Sequence, residues 1–327
     1  MSETIRKVGA FPAARYGLRS SFPQWRASVL KGADGAIAGR GNRQLPRRPS
    51  SQESVGALPL LSALPHLKAD DTRRFARACQ ATALVLRKKY LIPTATGFWV
   101  GTSPEDMKHD GFELMPRISS ATGTSFLVTP GHVAMAAHSI SADWVEQAAF
   151  VFDFHPDCLR QPEGDLPLRY EFARDAVSFG DAIVNLSASP RSDDIVIVRL
   201  KQATHRKALT IANPAALAEG VPVALVGCAR MQPITVVTAS ADAPAPRVFV
   251  FNEHIVQTNI DAFQGSSGSA LLDADGEVLG VHMKILVDDL GVGQLPTLVD
   301  EDIVVASAVR MHTIAETLQQ IGAVIRN

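Results

Sequence analysis

Between Ala81 and Met283 the sequence is cut into ten apolar runs of five to seven residues, with Gly, Pro, Asn, Asp and Ser clustered between them. They include "ATALVL" (81–86), "TGFWVG" (96–101), "TSFLVT" (124–129), "AAFVFDF" (148–154), "DIVIVRL" (194–200), "PVALVG" (222–227), "ITVVTA" (234–239), "RVFVFN" (247–252), "ALLDA" (270–274) and "EVLGVHM" (277–283). Runs this short suit strands better than helices. Many short strands separated by turn residues predict an all-β domain, a barrel or sandwich of about 250 residues. "DADGE", between the last two runs, predicts a hairpin, because Asp-Gly favours the positive φ angles such turns need. Helical spacing is confined to "LKADDTRRFARAC" (67–79) and a closing segment at about 307–322.

The chain has 327 residues, 46% of them apolar, enough for a sizeable core. Its net charge of −1 argues against a generic nucleic-acid binder. That average hides an asymmetry. Residues 1–50 hold ten Lys and Arg against two acidic residues, and the remainder is mildly acidic. Residues 1–65, rich in Gly, Pro and Arg, are expected to form a basic, irregular or disordered extension before a domain at 66–327. Three widely spaced cysteines (Cys79, Cys158, Cys228) make neither a disulfide framework nor a zinc motif and suit reduced thiols in a cytoplasmic protein. No run of 18 apolar residues exists to span a membrane.

"GSSGS" (265–269) sits between two strand-like segments, where a flexible linker has no purpose. It reads instead as a tight turn presenting one serine. A hydroxyl is a poor nucleophile at neutral pH. It needs a base within hydrogen-bond reach, a third group to orient that base, and donors aimed at the developing oxyanion. "TPGHVAMAAHS" (129–139) supplies His138, and "SDDIVIVRL" (192–200) supplies Asp194 at the mouth of a β-branched strand. Asp193 is the competing carboxylate, and Asp194 is preferred because it directly precedes the apolar run. Ser267 has glycines at −2 and +1, so the amides of Gly265 and Ser267 can converge on one oxygen. His132 is expected to be structural. His155, His205, His254 and His312 share no metal-ligand spacing, so no metal is expected.

The three blocks, in the order His, Asp, Ser, resemble those of chymotrypsin-fold (trypsin-like) serine proteases. "TPGHVAMAAHS" is similar to that family's histidine block, "DDIVIVRL" to its aspartate block and "GSSGSALLDADGEVLGVH" to its serine block, the last most like the bacterial glutamyl-endopeptidase branch. Each block alone is weak; their shared order and spacing, 56 and 73 residues, make the match specific. A G-x-S-x-G elbow is disfavoured, since Ser269 stands where its last glycine belongs and the histidine comes first.

The resemblance implies two antiparallel six-stranded β-barrels, at about 80–205 and 206–305, followed by the C-terminal helix. It implies a peptidase cleaving polypeptides without metal or organic cofactor, through His138, Asp194 and Ser267 and an oxyanion hole at Gly265 and Ser267. The pocket would involve Asp261, Ala262 and His282. Asp261, six residues before Ser267, favours Arg or Lys at P1. His282, fifteen residues after, matches a histidine that binds Glu at P1 in glutamyl endopeptidases. The reading leans to a basic P1. Ser266 replaces the Asp that precedes the serine in trypsin-type enzymes, and residues 87–122 are longer than the usual first hairpin, which implies an insertion. A catalytically silent binding module is the rival reading. The extension or the insertion is expected to restrain the site until a protein activator or a cut relieves it.

Overall fold

The computed structural model describes residues 55–56, 69–103, 108–109, 112–113, 116–162, 167–189, 193–238, 246–260, 262, 265–283 and 306–326. Apart from Val55–Gly56, the basic extension 1–65 lies outside them.

The strands in chain order are β1 (Val55–Gly56), β2 (Thr82–Arg87), β3 (Ile92–Pro93), β4 (Gly97–Gly101), β5 (Lys108–His109), β6 (Phe112–Glu113), β7 (Ala121–Thr129), β8 (His132–Met135), β9 (Ala148–Val151) and β10 (Leu159–Arg160). They continue as β11 (Arg169–Ala173), β12 (Val177–Ser189), β13 (Asp193–Leu200), β14 (Ala224–Gly227), β15 (Thr235–Val237), β16 (Val248–Phe251), β17 (Ile255–Thr258), β18 (Ala270–Leu272), β19 (Val278–His282) and β20 (Ala306–Arg310). The helices are α1 (Ala69–Ala81) and α2 (Ala315–Gln320).

The first barrel closes in the order β12-β13-β8-β7-β2-β9, all pairs antiparallel. Its apolar runs explain the closure. Ile195, Val196, Ile197 and Val198 of β13 are all fully buried, so both faces of that strand are covered. Phe126, Met135, Leu84 and Phe150 add large side chains to the same core.

The second barrel is built from the sheet β1-β15-β14-β18-β19-β20-β17-β16. The sheet curls on itself where the residues entering β14 pair with those entering its edge strand β16. Pro222 bridges Arg247, and the Val223 and Val248 amides donate to the Pro246 and Val221 carbonyls at 2.8 and 3.0 Å. The fold is thus all-β, as the sequence predicts. Val55–Gly56 is a correction to the irregular extension: it adds a short edge strand beside β15.

Other differences are local. The helix expected at 67–79 runs over Ala69–Ala81, with Phe75, Ala78 and Cys79 forming its buried face. The closing helix is shorter than expected. Residues 306–310 are strand β20, buried throughout and hydrogen-bonded between β17 and β19, and the α-helix proper is Ala315–Gln320. Apolar spacing alone cannot separate a doubly covered strand from the first turn of a helix. The expected insertion contributes β3 and β4 to a separate sheet, β10-β11-β4-β3, whose Tyr170 and Phe172 rings pack on Phe154. Tyr170 also donates its hydroxyl to the Pro116 carbonyl at 2.7 Å.

Candidate active site

The register of the first barrel brings His138 and Asp194 together. β8 pairs antiparallel with β13, Met135 opposite Val196. Continuing past β8 therefore carries the chain towards the start of β13. There it turns through one 3-10 turn, Ala137–Ser139, with His138 in its middle. The two alanines before the histidine keep that turn against the core: Ala136 is fully buried and Ala137 nearly so.

Asp194 grips the turn with both carboxylate oxygens. Oδ1 accepts the His138 backbone N–H at 2.8 Å, and Oδ2 lies 2.5 Å from His138 Nδ1. Burial is the largest influence on this carboxyl and pushes its pKa up. The ring bond and charge of His138, with the amides of His138 and Ala137, outweigh it and leave the group below its ordinary value. An ionised carboxylate accepts a proton-bearing Nδ1. The neutral ring then keeps its lone pair on Nε2. The histidine side chain is 33% exposed, so that nitrogen is within reach of a bound molecule.

Three serines lie in 265–269, and burial separates them. Ser266 is 2% exposed and Ser269 fully buried; Ser267 is half-exposed. The turn is fixed by backbone bonds. Gly268 N–H donates to the His282 carbonyl at 2.7 Å, Ser269 N–H to Ser266 at 2.9 Å, and His282 N–H to Ser269 at 2.8 Å. Gly268 adopts φ +88°, and a Cβ there would lie 1.9 Å from the Thr124 carbonyl oxygen and 3.1 Å from the Ala136 nitrogen. The Ser267 loop thus sits directly against β7 and the approach to His138. Gly123 is a second close approach: a Cβ would lie 2.9 Å from both the Ser267 carbonyl oxygen and Ser139 Oγ.

Among the described residues, the amides of Gly265 and Ser267 have no backbone acceptor. Two unengaged donors beside an accessible serine are suited to stabilise an oxyanion. Gly265 takes φ +94°, open to glycine.

Of the expected pocket residues, Asp261 lies outside the described residues, and Ala262 is half-buried against the second barrel's core. His282 is 4% exposed in β19. Burial, with the charge of nearby His138, pushes its imidazole down to about 3, so it is neutral near pH 7. His132 bonds Thr129 Oγ1 through Nδ1 at 2.8 Å, a local first-barrel contact. The three thiols are free and buried, and burial pushes Cys79 up to about 12. Among the described residues no group of His, Cys, Asp and Glu is arranged to hold a metal ion, and no helix is long and apolar enough to cross a membrane.

The sequence reading missed Thr124. It is buried in β7, accepts from the Cys228 amide and donates to the Gly265 carbonyl, both at 2.9 Å. The signal was a hydroxyl inside an otherwise core-forming run.

Residues 121–281 match the model of a trypsin-like peptidase domain. No curated protein matches the chain. Among solved structures, it is similar to an HtrA-type protease, AlgW with a decapeptide, at 14% identity and TM-score 0.46, covering 76% of this chain and 66% of that one. It is also similar to the Rv3671c protease from M. tuberculosis in its active form, at 17% identity and TM-score 0.44, covering 88% and 95%.

Proposed function

We infer that this chain, with a trypsin-like peptidase match over residues 121–281 and a trypsin-like fold, is a serine endopeptidase acting on polypeptides. The observation that carries this reading is the pair of hydrogen bonds between the Asp194 carboxylate and His138, one oxygen to the ring and one to the backbone. It leaves Nε2 as the ring's basic nitrogen.

In this reading Ser267 Oγ attacks the scissile carbonyl carbon, and His138 Nε2 takes the hydroxyl proton. Asp194 holds the ring and stabilises the imidazolium that forms. The Gly265 and Ser267 amides receive the oxyanion, a contribution of roughly 3–4 kcal/mol. The C–N bond breaks as His138 returns the proton to the leaving amine. Water then cleaves the acyl ester by the same route in reverse.

For the pocket, Asp261 is taken to select Arg or Lys at P1 by charge pairing. One observation favours an acidic P1 instead. His282 is buried close enough to His138 to feel its charge. A neutral imidazole donates one N–H, which suits a carboxylate. The basic N-terminal segment is taken to restrain the site in a cytoplasmic setting until a protein partner or a cut removes it. A chain lacking residues 1–54 then has higher kcat/KM, and unchanged rates would discard the restraint.

The test of the whole reading is fluorophosphonate labelling of the wild type and Ser267→Ala, with a peptide panel varied at P1 (Arg, Lys, Glu, Ala, Leu). Labelling at Ser267 and cleavage lost in the variant support a peptidase. Cleavage after Arg or Lys supports the Asp261 pocket, and cleavage after Glu the His282 pocket. A truncated chain that neither labels nor cleaves is a binding module.

A further inference from the structure

We propose that Thr124 is a positioning residue, a first-barrel side chain that sets the oxyanion-binding turn of the second barrel. The proposal rests on the reading of Ser267 as nucleophile.

The Thr124 hydroxyl makes two bonds at once, to the Gly265 carbonyl and from the Cys228 amide. A hydroxyl has a single proton. The Cys228 N–H can only donate, so it occupies an oxygen lone pair, and the proton is committed to the Gly265 carbonyl. This hydroxyl therefore has one orientation. The Thr124 backbone N–H donates to the Ser267 carbonyl at 2.8 Å. One residue thus holds the carbonyls on both sides of Ser266.

The consequence falls on the Gly265 amide, one of the two donors that would meet the oxyanion. Pinning the Gly265 carbonyl fixes the peptide plane that follows Gly265. The residue itself has little room to turn about its Cα: at φ +94°, a Cβ would lie 2.7 Å from the Cys228 carbonyl oxygen and 2.8 Å from the Met231 nitrogen. With the carbonyl held and the Cα fenced, the direction of the Gly265 N–H follows. The Thr124 amide fixes the peptide after Ser267, which carries the Gly268 N–H, while the Ser267 N–H lies in the preceding peptide, whose Ser266 carbonyl accepts from the Ser269 amide at 2.9 Å. Cys228 closes the arrangement, its amide holding the threonine hydroxyl and its carbonyl packed on Gly265.

The other hydroxyls of β7 behave differently. Thr122 and Ser125 reach the Val85 and Ala83 carbonyls of the neighbouring strand at 3.3 and 3.4 Å, and Thr129 bonds His132 and the Gly131 amide. Among the described residues, Thr124 carries the one β7 hydroxyl that crosses to the second barrel.

The experiment compares wild type, Thr124→Val, Thr124→Ser and Thr124→Cys by kcat and KM on a peptide substrate and by the rate of fluorophosphonate labelling. Each is assayed well below its own melting temperature, with the folded fraction measured by circular dichroism. The valine keeps the shape and the backbone bond but loses the hydroxyl. Its kcat and labelling rate are expected to fall about 100-fold, near the loss of one oxyanion donor, with KM nearly unchanged. The serine variant is expected to keep most of the activity. The cysteine variant, with a weak S–H donor, falls between them and serves if the valine variant does not fold.

Wild-type kcat in the valine or cysteine variant overturns the proposal. So does equal impairment of the serine and valine variants, or a loss that only follows the unfolded fraction. A wild type that is not labelled at Ser267 overturns the nucleophile reading and this proposal together, so the wild-type arm separates the two failures.

Discussion

His138 and Asp194, in the first barrel, are held by bonds of side chains to one another and to their own turn; Ser267, in the second, is held by backbone bonds and by glycines. The first barrel is a continuous closed ring, and its candidate site is an electrostatic device: a half-buried carboxylate kept ionised by three hydrogen bonds and the ring charge of one short turn. The second barrel meets itself at a short seam, and its candidate site is a matter of shape. Its donors are peptide groups, and what aims them arrives from the other barrel. The difference teaches that charge can be positioned within one unit, whereas the oxyanion turn depends on packing between two.

The sharpest way to break the comparison is to remove the nucleophile. Ser267→Ala is expected to cost about four to six powers of ten in kcat. The melting temperature should stay close to wild type, because the backbone bonds of the turn survive. A large drop in melting temperature would mean that the serine side chain also supports the fold. Next comes the first barrel's charge. Asp194→Asn is expected to lower kcat about 10⁴-fold, as the amide no longer enforces the same ring tautomer. Peptide kinetics would check it, and a loss under tenfold would remove Asp194 from the site.

pH gives the third test. A histidine whose folded pKa lies below its unfolded value binds fewer protons in the folded state. Stability therefore rises with pH between the two values and is lost on acidification from about 6.5 towards 3. His282 should contribute a loss of about 3 kcal/mol between pH 7 and pH 4. The depressed carboxyl of Asp194 acts in the same direction, its contribution present at neutral pH and lost in acid. Urea midpoints at the two pH values, in wild type and His282→Asn, would show it. An equally steep loss in the variant would refute the role of His282.

The smallest effects test shape. Gly268→Ala places a methyl group against the Thr124 carbonyl at φ +88° and should cost about 2 kcal/mol or more, with activity falling alongside. Gly220→Ala has a similar φ of +81° but nothing within 4 Å, and should cost about 1 kcal/mol with activity intact. Equal costs would mean that the approach of β7 to the serine loop does not constrain it.

The candidate triad was legible because each member sits at the end of a strongly patterned strand. "DIVIVRL" announces a strand covered on both faces, and Asp194 heads it; "HVAMAAHS" runs from strand into a turn marked by small residues. Thr124 was not legible, since one hydroxyl among four in "TGTSFLVT" gives no hint of which distant carbonyl it meets. The 13-residue strand Val177–Ser189 also escaped, because "VSFGDAIVNLSAS" has a glycine, an aspartate and register irregularities that blur its alternation. Residues 307–310 read as the start of a helix until β17 and β19 claimed their backbone bonds.

Sequence alone determined the all-β class and which histidine, aspartate and serine are in question. Those follow from local period and from residue chemistry, which need no partner. Tertiary structure decided which serine of "GSSGS" is accessible, that His282 is buried and neutral, and that a first-barrel threonine holds the second barrel's turn. Burial and cross-barrel hydrogen bonds join residues more than a hundred positions apart, and only the closed, packed chain brings them within bonding distance.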